Sequence, residues 1–252
     1  MAKIQKDTSL RKAILLSAIT GQLINDIEGA TKTGKQLLDR IIEERNAKLI
    51  TDWKEVKKKN PKAKKPAPII ASEIAEDEIP FEIPKSWYWC RLGDLVPFGQ
   101  CVNAEPTEIE DNAWILDLED IEKDSGRILQ FKTKKEVESK STKHIFKKGY
   151  VLYSKLRPYL NKCVIAPKDG YCTSEILPLD FGNLVNNKYA QTFLMSPYFV
   201  DYTNSLSFGV KMPRLGTEDG KKAMVPLPPL EEQEEIVKIV EELLLLCETL
   251  VE

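Results

Sequence analysis

Apolar positions recur at helical spacing near both ends of the chain and in short runs through its middle. From Ser9 to Leu23, the residues Leu10, Ala13, Ile14, Leu15, Leu16, Ala18 and Ile19 leave few polar positions on any side. They predict a helix capped by Ser9, stopped near Gly21 and covered by more than one neighbour. A loop with Gly29 and Gly34 follows. Thr33-Gly-Lys-Gln36 then fits a capping box, and Leu37, Leu38, Ile41, Ile42, Arg45 and Leu49 predict a second helix over Lys35–Lys54. Leu230–Glu252 predicts a third, long helix. Pro229 and Glu231, Glu232, Glu234 and Glu235 stand at its positive end. Its apolar residues fall on two seams: Ile236, Val240, Leu243, Cys247, Leu250, and Val237, Val240, Leu244, Cys247, Val251. Spacings alternate between four and three, as in a coiled coil.

Between these helices the pattern changes to short runs. Trp87–Leu92, Trp114–Leu118, Tyr150–Ser154, Lys162–Ala166, Ile176–Leu179 and Ala223–Leu227 predict strands. Asn187–Met195 predicts a helix, and Ser196-Pro197 restarts another. Gly93–Leu95 predicts a short helical turn, Ser125–Arg127 a turn and Lys132–Lys143 a loop. Lys57–Pro68 has three prolines and little apolar content, so it predicts a linker or mobile loop. No tandem repeat is present. The expected fold class is α+β. A mixed α/β domain over 80–228 follows an N-terminal helical region and Lys/Pro-rich linker over 1–79. A long coiled-coil-type helix over 229–252 closes the chain and is expected to pack on another helix, within the chain or across a dimer.

The chain has 252 residues and a formal net charge of −2, enough for one large domain or two small ones. That near-neutral balance hides blocks. Lys132–Lys168 holds eleven Lys and Arg against Glu136 and Glu138, and Lys48–Lys65 holds eight Lys against Asp52 and Glu55. Glu105–Asp124 and Glu231–Glu252 are acidic. The first block fits a polyanion partner, and the lysines from Lys54 to Lys65 read as solvated charge. No apolar run is long enough to cross a membrane and no signal-peptide pattern is present. The five cysteines are scattered without a C-x-x-C pair, which fits a reduced cytoplasm.

Catalytic chemistry has little support. His144 is the one histidine, which excludes a His-based metal cluster and gives a Ser-His-Asp triad weak support. Neither a G-x-G-x-x-G nor a P-loop is present, so no cofactor is expected. Glu138-Ser-Lys140 matches half of a nuclease motif without the carboxylate strand that would precede it. Asn60-Pro61 lacks the aromatic that would hold a flipped base. Binding chemistry is better supported. Lys155, Arg157, Tyr159, Asn161 and Lys162 lie between two predicted strands, and Lys211 and Arg214 lie on a later loop. Arg157 can fork onto guanine and Asn161 onto adenine. Lys132, Lys134 and Lys135 can clamp phosphates. The competing readings are a solvated lysine-rich turn and, for Arg157, an ion pair with the acidic Asp117–Asp124 stretch.

Four segments in order carry a resemblance over nearly the whole chain. They are Leu10–Leu23, Ile83–Leu95 (I-P-K-S-W-Y-W-C-R-L-G-D-L), Lys155–Lys162 (K-L-R-P-Y-L-N-K), and Lys211–Leu215 leading to Val225–Gln233 (V-P-L-P-P-L-E-E-Q). The chain resembles one half of the specificity subunit of type I restriction-modification enzymes. The resemblance implies double-stranded DNA, methyltransferase (modification) subunits and, through them, restriction subunits as partners. It implies a non-catalytic, cytoplasmic protein with one recognition domain where the full subunit has two. It also implies recognition of one half of a split target site. Two copies would rebuild the full subunit, or the chain is a fragment. Leu10 and Ile14 together with Ile236, Val240, Leu243, Cys247 and Leu250 are the expected homodimer seam. A nuclease or methyltransferase fragment, or an interaction module that does not read DNA, are the rival functions.

Overall fold

The structure, a computed structural model, describes residues 8–24, 32–138, 140–209 and 211–249. Helix α1 (Thr8–Ile19) ends just before Gly21, whose φ of +77° suits glycine. Helix α2 (Gly34–Lys59) starts at the expected capping box: the Thr33 hydroxyl accepts from Gln36 N–H, and the Gln36 side chain accepts from Thr33 N–H. It runs past Lys54 because Lys and Glu favour helix; Asn60 before Pro61 is the first obstacle.

The expected mobile linker is instead strapped down. Trp53 Nε1 donates to the Ala63 carbonyl at 3.2 Å, and the Asn46 amide both donates to and accepts from the Ile69 backbone at 2.9 and 2.8 Å. Ser72 donates its N–H and hydroxyl to the buried Asp94. Side-chain hydrogen bonds thus replace the apolar burial this stretch lacks.

After the strap come β1 (Tyr88–Arg91), α3 (Leu92–Leu95), β2 (Asn103–Ala104) and β3 (Trp114–Leu116). Next are β4 (Lys132–Thr133), the single turn α4 (Lys134–Val137), β5 (Lys143–Phe146), β6 (Val151–Ser154), β7 (Cys163–Ile165), β8 (Gly170–Cys172) and β9 (Ile176–Leu179). The chain closes with α5 (Asn187–Met195), α6 (Pro197–Leu206), α7 (Thr217–Lys222), β10 (Met224–Leu227) and α8 (Leu230–Thr249). Strand β6 is central in a three-stranded antiparallel sheet, β7-β6-β9, with all four residues buried. A strand covered on both faces reads as a continuous apolar run, which is how the sequence shows it. A five-stranded sheet, β2-β5-β8-β3-β4, stands beside it. The antiparallel pair β1-β10 brings Tyr88 opposite Leu227 and so draws the two ends of the intervening chain together.

The largest core crosses every expected boundary. Ile14 and Leu15 of α1, Leu37, Leu38 and Ile41 of α2, Tyr153 of β6, Phe193 of α5, Phe199 of α6 and Ile236, Val237 and Val240 of α8 belong to it. The expected dimer seam is therefore covered largely from within. Helix α1 packs on α8, which buries Ile14, Ile236 and Val240 inside one chain. Leu243 and Cys247 are half-buried against the same core, Leu10 is exposed, and Leu250 and Val251 lie outside the described residues, as does Gly29.

At Gly34 the backbone of α2 presses on the β1-β10 pair. A Cβ there would stand 2.0 Å from the Leu227 carbonyl oxygen and 2.7 Å from the Tyr88 nitrogen. Helix propensity alone would make Gly34→Ala stabilising by up to about 1 kcal/mol. Displacing main chain costs about 1–3 kcal/mol, so the net change is a loss. A lowered urea midpoint at unchanged slope is the expected result.

Candidate nucleic-acid interface

Strand β6 delivers the chain to a tight loop. The Ser154 hydroxyl donates to the Leu156 carbonyl at 2.9 Å, and Lys155 N–H donates to the Glu175 carbonyl at 3.0 Å. Arg157 then turns into the left-handed region at φ 51°, ψ 62°, Pro158–Leu160 makes one 3₁₀ turn, and Asn161 is left-handed at φ 47°. Two left-handed non-glycine residues in one loop store strain and persist only where the surroundings hold them. Here Arg157 N–H donates to the Pro213 carbonyl at 2.7 Å, and the Arg157 carbonyl accepts from Leu160 N–H at 2.9 Å.

Pro213 belongs to the second expected loop, more than fifty residues on. Phe208 and Arg214 exchange backbone hydrogen bonds of 3.1 and 2.9 Å, which closes this loop, and Gly209 sits at φ +99°. Leu215 N–H donates to the Lys155 carbonyl at 3.0 Å. The Arg214 guanidinium forks onto the Glu175 carboxylate, Nε and Nη2 lying 3.1 and 2.9 Å from Oε1. That carboxylate raises the guanidinium pKa. Glu175 thus holds the first loop through its carbonyl and the second through its side chain.

The joined loops present Arg157, Tyr159 (51% exposed), Phe208 (62% exposed), Lys211 and Met212 to solvent, with Lys155 half-buried between them. Among the described residues no carboxylate pairs with Arg157, Lys155 or Lys211. The alternative ion pair for Arg157 is therefore absent there.

Other expected contacts are used internally. Asn161 is only 6% exposed, and its amide donates to the Met195 carbonyl at 3.0 Å, so it faces the core and not a base edge. Lys162 is half-buried and donates to the Leu118 carbonyl at 2.6 Å; burial lowers its pKa. Lys132 binds Glu119 and Asp120 at 2.5 and 2.8 Å, and those carboxylates raise its pKa. Lys134 donates to the Ile109 carbonyl at 2.6 Å and lies 3.6 Å from Asp111. Arg214 is a fastener rather than a free cation. Lys135 is exposed on α4. For Lys132 and Lys162 the cause is the acidic turn at 117–120 beside the basic block. Asp120 has no exposed surface and accepts from Asp117 N–H and Gln130 as well as Lys132. A buried carboxylate without such donors would be costly.

Glu175 and Phe208 carry no signal in the sequence that would mark them, because both matter through partners distant along the chain. Glu175→Gln keeps the shape of the fork and removes its charge. It is expected to leave the melting temperature nearly unchanged while speeding amide exchange at Arg157 and Leu215 by at least about threefold, since local opening is governed by local contacts. Unaltered exchange at both amides would show that Glu175 does not hold the loops.

Residues 84–251 match the family described as the type I restriction modification DNA specificity domain. The type I restriction enzyme EcoDI specificity subunit of Escherichia coli is 29% identical over 178 residues, covering 71% of this chain and 39% of that protein. The EcoAI specificity subunit of Escherichia coli is 28% identical, covering 96% of this chain and 40% of that protein. The chain therefore spans about two fifths of the length of these relatives. Among solved structures, the HsdS subunit from Thermoanaerobacter tengcongensis superposes with a TM-score of 0.57 at 24% identity, over 68% of this chain and 45% of that one. A chain from a structure of type I R-M complex assembly and conformational transition gives a TM-score of 0.52 at 16% identity, over 86% of this chain and 51% of that one. At these identities the structural likeness establishes the fold.

Proposed function

The chain belongs to the type I restriction-modification DNA specificity family, and on that premise we propose that the joined loops 155–162 and 208–214 read one half of a split DNA target. The supporting observation is Arg157: exposed, without a carboxylate partner among the described residues, and fixed in a strained backbone by the hydrogen bond that its N–H donates to the other loop. A guanidinium held in this way loses little freedom on forking onto guanine O6 and N7. Lys155 and Lys211 flank it for phosphates, and Tyr159 supplies a ring for stacking or a phosphate hydrogen bond. Lys135 is retained as an outlying phosphate contact. Asn161, Lys132, Lys134, Lys162 and Arg214 act one step back, holding the surface in shape.

In this reading the chain performs no chemistry itself and works in the cytoplasm. It places bound DNA before methyltransferase subunits and, through them, restriction subunits. The second half-site is read by a second recognition domain, supplied by another copy or by a longer polypeptide. The outer faces of α1 and α8, with Leu10, Leu16, Leu245 and Leu246 exposed, are where these helical partners would pack.

Arg157→Ala should cost about 1–3 kcal/mol at the selected target and relax one base preference. Its melting temperature should hold. A weaker but unchanged preference profile would remove Arg157 from the reading set. Replacing Leu245 and Leu246 together by Asp should shift any dimer seen by sedimentation at tens of micromolar, roughly where weak dimers form, toward monomer. A dimer indifferent to that change would place the contact elsewhere.

A further inference from the structure

Helix α2 has 26 residues and so runs about 39 Å, yet its buried residues, Gly34, Leu37, Leu38 and Ile41, all lie in its first third. Lys48 still reaches Asp180 at 3.3 Å. From Thr51 onward, the hydrogen bonds and ion pairs found among the described residues run within the helix or to the strap that folds back along it. The helix and strap form an arm, and its tip carries Lys54, Lys57, Lys58, Lys59, Lys62, Lys64 and Lys65, all but the first within one short reversal of the chain.

Two features separate this tip from ordinary solvated charge. First, it is anchored. Trp53 donates to Ala63, Lys57 stands 4.5 Å over the Trp53 ring, and Asn46 grips Ile69 on both backbone groups. A chain segment with three prolines and so many like charges would repel itself into an extended coil without such ties. Second, it is unneutralised. The lysines at 132, 134, 143 and 147 each have a carboxylate within 4 Å, whereas at the tip only Lys58 does, to Glu55. Six cations, Lys54, Lys57, Lys59, Lys62, Lys64 and Lys65, are held together without a carboxylate partner among the described residues.

We propose that the tip of this arm is a second, sequence-independent DNA contact that binds phosphates flanking the bases read by the loops. Lysines act as point charges suited to phosphate oxygens, and they are depleted in the cores of protein interfaces, where aromatic and Arg anchors dominate. Here the one tryptophan is already used to pin the strap. The position fits flanking DNA. Glu175 and the reading loops lie at one end of β9, and Asp180, under Lys48, lies at the other. Five residues of strand, the side chains of the Lys48–Asp180 pair and ten residues of helix place the tip within about 40 Å of the loops by path. That is on the order of 12 base pairs at about 3.4 Å each.

The inference rests on the DNA-reading proposal, and the test separates the two. Binding of the full chain is measured against salt on two duplexes centred on its selected site, one with flanks of about 3 base pairs and one with about 15. Lys54, Lys57, Lys59, Lys62, Lys64 and Lys65 are changed together to Gln, and in a second variant to Arg. On the long duplex the Gln variant should lose about 3–5 from the slope of log K against log salt. On the short duplex it should match the parent, and the Arg variant should restore the long-duplex slope. Preference for the selected site over a scrambled one should persist in the Gln variant. Equal losses on both duplexes, or no loss on either, would overturn the flanking contact. A parent chain with no site preference would instead overturn the reading proposal and leave the length dependence to be judged by itself.

Discussion

The proposed reading surface depends on one set of backbone hydrogen bonds. Arg157 donates to Pro213, Leu215 donates to Lys155, and Lys155 donates to Glu175, whose carboxylate is forked by Arg214. Two polar loops that would each lose considerable conformational entropy on ordering are joined so that each is a scaffold for the other. The left-handed Arg157 is the visible cost of that arrangement. Its side chain points to solvent from a backbone that has little freedom left, which is the preorganisation that specific binding requires. The three-stranded sheet supplies the rigid base, because β6 and β9 carry Lys155 and Glu175 out of the core side by side.

Charge distribution follows a second constraint. In the recognition domain several cations are neutralised where they stand: Lys132 on Glu119 and Asp120, Lys143 near Asp117, Arg214 on Glu175. The buried Asp120 accounts for the first of these, since a carboxylate with no exposed surface needs donors around it. A basic block in the sequence is therefore not the same thing as a basic surface. Among the described residues, Lys155, Arg157 and Lys211 at the loops, and Lys54, Lys57, Lys59, Lys62, Lys64 and Lys65 at the tip of α2, are among the cations without a carboxylate partner.

Much of the fold was legible because burial imposes its period on the chain. Ile176–Leu179 and Asn187–Met195 have the predicted limits, and the Thr33 capping box and the Ser196-Pro197 helix start are present. Strands β2, β4, β5 and β8 leave no signal in the sequence: β2 and β4 have two residues each, too few to display a period, and β5 and β8 lack the run of apolar residues that marks β3 and β7. The two loops proposed to read DNA are visible in the sequence as cations beside strands, but their joining is not, since it is made by backbone groups that every residue carries. Asn161 was misplaced for a related reason: an amide suited to adenine is equally suited to the Met195 carbonyl. The apolar seam of α8 is legible in the sequence as a face that needs cover, and helix α1 of the same chain supplies much of it.

The central claim is that loops 155–162 and 208–214 together form the DNA-reading face. Hydrogen–deuterium exchange of the full chain, with and without duplex carrying its selected site, tests it most directly. Protection of peptides covering these two loops and the Glu175 turn, with the far end of the sheet at 166–170 unchanged, is the predicted result, whether or not the tip of α2 is also protected. Protection at 166–170 with both loops unaffected would contradict it.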